Sequence, residues 1–165
     1  MATSRKVLHT GGCQCGAVRY ALMAEPTRNH VCHCRMCQKA VGGPFAAFAG
    51  IKPGDFEWTR GTPAVYASST LAIRHFCAAC GTPLTFRYVE RDWMNVTMGS
   101  LDDANAAAPA LQFGMESRVP WLPHVGMLPG TTTEQMVPAE AMARLASLQH
   151  PDRETGLGWS PPKAG

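Results

Sequence analysis

Seven cysteines stand in three tight groups: Cys13 and Cys15, then Cys32, Cys34 and Cys37, then Cys77 and Cys80. Thiolates at spacings this short bind borderline and soft metal ions, zinc above all, in tetrahedral sites. Cys77-Ala78-Ala79-Cys80-Gly81 has the spacing of a zinc knuckle, in which a glycine after the second cysteine lets the backbone curl and aim amides at sulfur. A straight strand would put Cys13 and Cys15 about 6.6 Å apart, too far for one tetrahedral zinc, so the chain must kink there. Gly11, Gly12 and Gly16 make that kink cheap. The two pairs together give a closed, four-thiolate structural zinc site on Cys13, Cys15, Cys77 and Cys80. Four buried thiols or labile disulfides are the competing reading, which the short, glycine-flanked spacings disfavour.

Cys32, Cys34 and Cys37 are left as a tripod on one short loop. Three thiolates on zinc leave a fourth position for water or for a substrate thiol. Alternatively His30, His33 or His75 closes that position; His33 is nearest, yet it lies between two ligands. A set of three also holds metal less tightly than four, so the second of the two zinc ions can be partly occupied. Arg35, Lys39, Arg74, Arg87 and Arg118 are candidates for an anionic substrate such as a peptide carboxylate. Trp93 and Trp121 read as core or pocket walls, and Asp102-Asp103 as a turn cap rather than an acid–base pair.

Short strands must position these groups. Charged residues are only 16% of the 165, and 16 Gly and 13 Pro make the chain turn-rich. Strands are expected near Val7–Thr10, Ala17–Leu22, Phe45–Ile51, Phe56–Thr59, Val65–Ser68, Leu71–Phe76, Leu84–Val89 and Trp93–Met98. Turns are expected at Pro26–Asn29, before the second cysteine group, and at Lys52–Asp55. One helix is expected over Val137–Leu148, with Met142, Leu145 and Leu148 on one face. The fold expected is mainly β, with a zinc domain over 5–130 and a C-terminal helix and irregular tail over 131–165.

The bulk numbers exclude some functions. No stretch approaches the roughly 20 apolar residues that span a bilayer. The start, Met1 to Lys6, has no apolar run behind its basic residues, which points to a cytoplasmic protein with reduced thiols. The formal charge is +3, but seven thiolates binding two Zn²⁺ would bring it to zero. Net charge therefore gives no argument for nucleic acid, and none is expected as a partner.

Five ordered segments resemble the glutathione-dependent formaldehyde-activating enzyme family, which includes relatives of centromere protein V. They are Gly11-Gly12-Cys13-Gln14-Cys15-Gly16 with Ala17 to Tyr20, Cys32 to Lys39 followed by Gly42-Gly43-Pro44-Phe45, Phe76 to Leu84, Val96 to Asp103, and Glu116 to Trp121. The resemblance implies a β-tent fold of antiparallel sheets. It implies a structural zinc on Cys13, Cys15, Cys77 and Cys80, and a catalytic zinc on Cys32, Cys34 and Cys37. It also implies a carbon–sulfur lyase activity like S-(hydroxymethyl)glutathione synthase, joining glutathione, a small-molecule thiol, to formaldehyde or a related carbonyl. Where the family often carries a histidine, between Pro109 and Glu116, this chain has Gln112, which can hydrogen-bond but not shuttle a proton. The alternatives are a non-catalytic zinc module, a thiol or formaldehyde carrier, and a redox or metal-buffering protein using Cys32, Cys34 and Cys37.

Overall fold

The structure, a computed structural model, describes residues 5–160. The readings that touch Met1 to Ser4 and the last five residues, 161–165, lie outside the described residues. The chain is mainly β, with ten strands in two sheets among the described residues. The smaller sheet has the order β1-β2-β5, from β1 (His9–Gly12), β2 (Arg19–Leu22) and β5 (Phe56–Arg60), all antiparallel. The larger sheet has the order β10-β3-β4-β9-β8-β7-β6. Its strands are β3 (Thr27–Cys32), β4 (Ala46–Ile51), β6 (Ala64–Ser69), β7 (Ala72–Phe76), β8 (Pro83–Tyr88), β9 (Met94–Thr97) and β10 (Leu111–Phe113).

β4 is apolar along its whole length because it is central and covered on both faces. Its alternation divides it between two cores. Ala49 and Ile51 join Tyr20, Leu22, Leu84 and Val96 in the larger core, together with Cys13 and Cys77. Ala46 and Phe48 join Cys32 and Cys37 in the smaller one, with Phe86 and Cys34 against it. The period-2 geometry of one strand thus separates the two cysteine clusters.

Three expectations change. The segment read as a turn at Pro26–Asn29 runs into β3, whose register with β4 slips between Thr27 and His30, so local turn residues sit inside a bulged strand. The tripod is not a loop: Cys32 ends β3, Cys34 is the N-cap of α1 (Arg35–Val41), and Cys37 lies inside that helix. The C-terminal helix is real but shorter. After α2 (Thr133–Met136), α3 covers only Ala139–Arg144, because Leu145 leaves helical geometry and its side chain and that of Leu148 are exposed rather than packed. One pair departs from the antiparallel pattern: β10 runs parallel to β3, setting Phe113 beside Cys32.

Candidate metal centres

The first cluster forms at the end of β1. Cys13 follows Gly12, and a tight turn closes with the Gly16 amide donating to the Cys13 carbonyl at 3.0 Å. Gly16 supplies the positive φ of this kink, at 73°. Gly11 and Gly12 serve close packing instead: a Cβ on Gly11 would meet the Tyr20 ring, and one on Gly12 the Val18 carbonyl, both at 2.5 Å. The second pair leaves β7, where the Cys77 amide donates to the Thr82 carbonyl and the Gly81 amide to the Cys77 carbonyl. Backbone amides turn toward sulfur, Val18 N–H reaching Cys13 Sγ at 3.2 Å.

The Sγ atoms of Cys13 and Cys15 are 3.6 Å apart, those of Cys15 and Cys77 3.7 Å, and all four lie within 4.8 Å of one another. A tetrahedron of Zn–S bonds has sulfur edges of about 3.8 Å, whereas a disulfide needs about 2.05 Å. All seven cysteines are free thiols. The four therefore fit a tetrahedral ion. Their protons divide unevenly: burial pushes the Cys15 thiol up to about 12. Burial also raises Cys80, but bonds from the Thr82 hydroxyl and nearby amides outweigh it and bring the thiol down to about 6.

The second cluster is built by β3 and α1. Cys32 and Cys34 have Sγ atoms 3.4 Å apart, and Cys37 completes a group within 4.8 Å. Gly114, with φ 69°, lies so close to Cys34 that a Cβ would come 2.7 Å from its amide. The Phe113 carbonyl accepts the His33 amide at 2.8 Å, which holds the β3–α1 corner. Gln38, 4% exposed, donates to the carbonyls of His33 at 2.7 Å and Ser117 at 3.0 Å, tying the helix to both flanking segments. The bond from Cys32 lowers the Cys37 thiol most, and against burial it and the Arg74 guanidinium bring it to about 5. Cys32 moves up, through that same bond and through burial.

No histidine or carboxylate among the described residues joins the three thiols. His33 is fully buried, donates from Nε2 to Gln112 Oε1 at 3.1 Å and packs edge-on against Phe45. His75 bonds Thr85 Oγ1 through Nδ1 at 2.7 Å. His30 bonds the Arg28 carbonyl through Nδ1 at 2.9 Å. That carbonyl can only accept, so Nδ1 carries the proton and Nε2 keeps its lone pair in the neutral ring.

A cleft of about 590 Å³ opens over the thiols, walled by Phe48, Phe86, Tyr88, Trp93 and Phe113. Its charged lining is Arg28, Arg74 and Arg91, with His30 and no carboxylate. Each arginine lies over an aromatic face: Arg28 over Trp93 at 4.5 Å, Arg74 over Phe86 at 4.8 Å, Arg91 over Tyr88 at 5.7 Å. Arg28 is the non-glycine residue with positive φ among the described residues, at 54°. Of the cations picked from sequence, Arg74 lines this cleft, Arg35 and Lys39 line a neighbouring cavity, and Arg87 and Arg118 line neither. Trp93 is a cleft wall, whereas Trp121 is 54% exposed. Asp103 caps a turn through the Asn105 amide, while Asp102 pairs with Arg19. Sequence reasoning marked Trp93 but missed Arg28, Arg91 and the other aromatic walls.

Fold and site define a mainly β protein with one four-thiol and one three-thiol cluster, each able to hold a metal ion, the second beneath a cationic cleft. The chain belongs to the glutathione-dependent formaldehyde-activating enzyme family, whose profile matches residues 8–117. It is similar to an uncharacterized lyase of Schizosaccharomyces pombe, at 37% identity over 81 residues, 48% of this chain and 58% of that protein's length. A solved structure of a Rhodobacter sphaeroides protein matches at a TM-score of 0.47 and 25% identity, over 55% of this chain and 85% of that one. No helix among the described residues is long and apolar enough to cross a membrane.

Proposed function

We propose that this protein is a zinc-dependent carbon–sulfur lyase that joins an anionic thiol, glutathione in the first instance, to formaldehyde or a related small carbonyl. The observation that carries the reading is the three-thiol cluster at the floor of a cleft whose charged lining is wholly cationic. Glutathione is a thiol with two carboxylates, and arginines stacked on aromatic rings suit such a ligand. Cys32, Cys34 and Cys37 are the ligands of the catalytic zinc, and Cys13, Cys15, Cys77 and Cys80 those of the structural one. A zinc ion bound by the three thiolates supplies a Lewis-acidic centre that favours a thiolate and polarises a carbonyl.

The chain's own residues do the rest. Arg28 and Arg91 attract the carboxylates, and the aromatic walls narrow the access of water. The S–C bond forms as the carbonyl π bond opens, and the thiol proton ends on the new hydroxyl oxygen. His30 lies two residues before Cys32, on the same face of β3, and its Nε2 can take that proton and pass it on. The catalytic domain spans 5–130, followed by the C-terminal segment 131–165, in a cytoplasmic protein without a nucleic-acid partner.

The test is zinc stoichiometry with and without glutathione, alongside Cys34→Ser. Two zincs are expected, the second protected from chelators by glutathione. Cys34→Ser should keep the fold and one zinc and lose thiol addition. A fully active variant with a single zinc would overturn the proposal.

A further inference from the structure

Arg74 is a buried guanidinium with no carboxylate. It sits on β7, is 9% exposed, and enters none of the ion pairs among the described residues. Nη2 donates to Cys37 Sγ at 3.3 Å, and Nε has no hydrogen-bond partner. The Phe86 ring beneath it, at 4.8 Å, fixes the plane of the group. Arg74 lines both the thiol cleft and the neighbouring cavity of about 610 Å³, whose other cations are Arg35 and Lys39. Neither cavity has an aspartate or glutamate in its wall. A cation buried among cations is tolerated only beside a negative charge, and the sulfur cluster is the group at hand to carry it.

We infer that Arg74 is a positioning residue of the three-thiol site, supplying the positive charge that lets the cluster hold a metal ion and an anionic fourth ligand together. The inference rests on the proposed binding of a metal by Cys32, Cys34 and Cys37. Three thiolates and a divalent ion leave one net negative charge, which Arg74 cancels. A thiolate then enters a neutral site. Without Arg74 it enters a site that already repels it, in a partly dehydrated cleft where repulsion is poorly screened. The N–H···S bond also draws electron density from Cys37, leaving the metal more receptive to a further donor.

The experiment compares wild type with Arg74→Met, Arg74→Gln and Arg74→Lys, loaded with cobalt(II) in place of zinc. The four-thiolate cobalt spectrum reports that the fold is intact, and the change on adding glutathione gives its affinity. Arg74→Met should keep the four-thiolate spectrum and bind glutathione about tenfold to a hundredfold more weakly, the scale of one charge-assisted contact. Arg74→Gln keeps a donor to sulfur without the charge and should behave like Arg74→Met, which covers the case where the methionine variant does not fold. Arg74→Lys should recover most of the affinity. Loss of the second cobalt in the neutral variants but not in Arg74→Lys supports the inference equally. An unchanged glutathione curve in the neutral variants overturns it, as does an equal loss in the lysine and neutral variants. A wild-type protein that takes up one cobalt, or two without a response to glutathione, sinks the functional reading and the inference with it.

Discussion

The backbone amide of His150 donates to the carbonyl of Gln14 at 2.7 Å, fastening the far end of the chain to the turn that carries Cys13 and Cys15. The imidazole fills the space over Gly16, where a Cβ would come within 2.3 Å of it, and Trp159 packs edge-on behind it at 4.5 Å. Arg60 donates to the carbonyls of Thr155 and Gly16, and Glu154 pairs with Arg19 and Arg60. This strap lies beyond residues 8–117, so the four-thiol turn is braced by chain outside the segment that matches the family.

Removing the brace should therefore loosen the metal before it unfolds the sheets. His150→Ala leaves a cavity over Gly16 and removes the edge-on contact with Trp159, at a cost of about 1–3 kcal/mol, or several degrees in Tm for a chain this size. Zinc release from the four-thiol site to a chromophoric chelator should accelerate, while release from the three-thiol site stays as in wild type. Gly16→Ala should do the same more severely, since it also forces a side chain into positive φ. Equal release rates in variant and wild type would show that the strap merely rests on the turn.

Arg19 and Asp102 form a buried pair that makes a second, pH-dependent prediction. Arg19 is 2% exposed and reaches Asp102 through Nη1 at 2.8 Å and Nη2 at 2.5 Å, and the Thr10 hydroxyl also bonds the carboxylate. Burial alone would raise the Asp102 carboxyl, but the bonds from Arg19 and Thr10 and the charge of Arg19 hold it below its usual 3.8. A depressed carboxyl stabilises the fold above its unfolded value, and that contribution is lost as pH falls through the folded one. Asp102→Asn should cost about 1–3 kcal/mol at neutral pH, since it leaves the buried Arg19 guanidinium with the half-exposed Glu154 as its remaining carboxylate partner. It should also flatten the acid side of the stability curve, read as Tm against pH from 7 down to about 3.

What the sequence made legible follows from the range of each signal. Cys77-Ala78-Ala79-Cys80-Gly81 announces its own geometry, because the knuckle is local and its hydrogen bonds stay within six residues. The strands with apolar runs, such as β4, were equally readable, since burial on both faces leaves an uninterrupted pattern. β3 was not, because Arg28 takes a left-handed conformation at φ 54° between Thr27 and Asn29, and this bulge is kept in the sheet by neighbours far away in sequence. β10 is three exposed residues whose position beside Cys32 comes only from its parallel pairing. The cleft is the least legible part: Phe86 lies on β8 and Arg91 and Trp93 in the connection after it, and no spacing rule links these three to a cysteine.

His30 provides a prediction that separates catalysis from metal binding. Its Nδ1 is engaged with the Arg28 carbonyl, so Nε2 is free to accept a proton within the cleft. His30→Gln should leave two zincs and an intact fold, and slow thiol addition at saturating glutathione by about a hundredfold, the low end for a lost general base. A drop in zinc content instead, with the rate per zinc unchanged, would make His30 a metal-site residue.

Arg28 gives the sharpest test of what the cleft recognises. Its positive φ of 54° costs about 1–2 kcal/mol in a non-glycine residue, and the strain is held where its guanidinium covers Trp93 at the cleft wall. Arg28→Gly relieves the strain while removing the cation, so stability and binding should move in opposite directions. Tm is expected to hold or rise, and KM for glutathione to rise about threefold to tenfold, the value of a partly exposed charge contact. The same variant should treat glutathione diethyl ester as wild type does, because the ester lacks the carboxylates that Arg28 would meet. A parallel rise in KM for acid and ester would assign Arg28 to shape rather than charge. An unchanged KM for both would place the carboxylates elsewhere, with Arg91 on the Tyr88 face as the next residue to change.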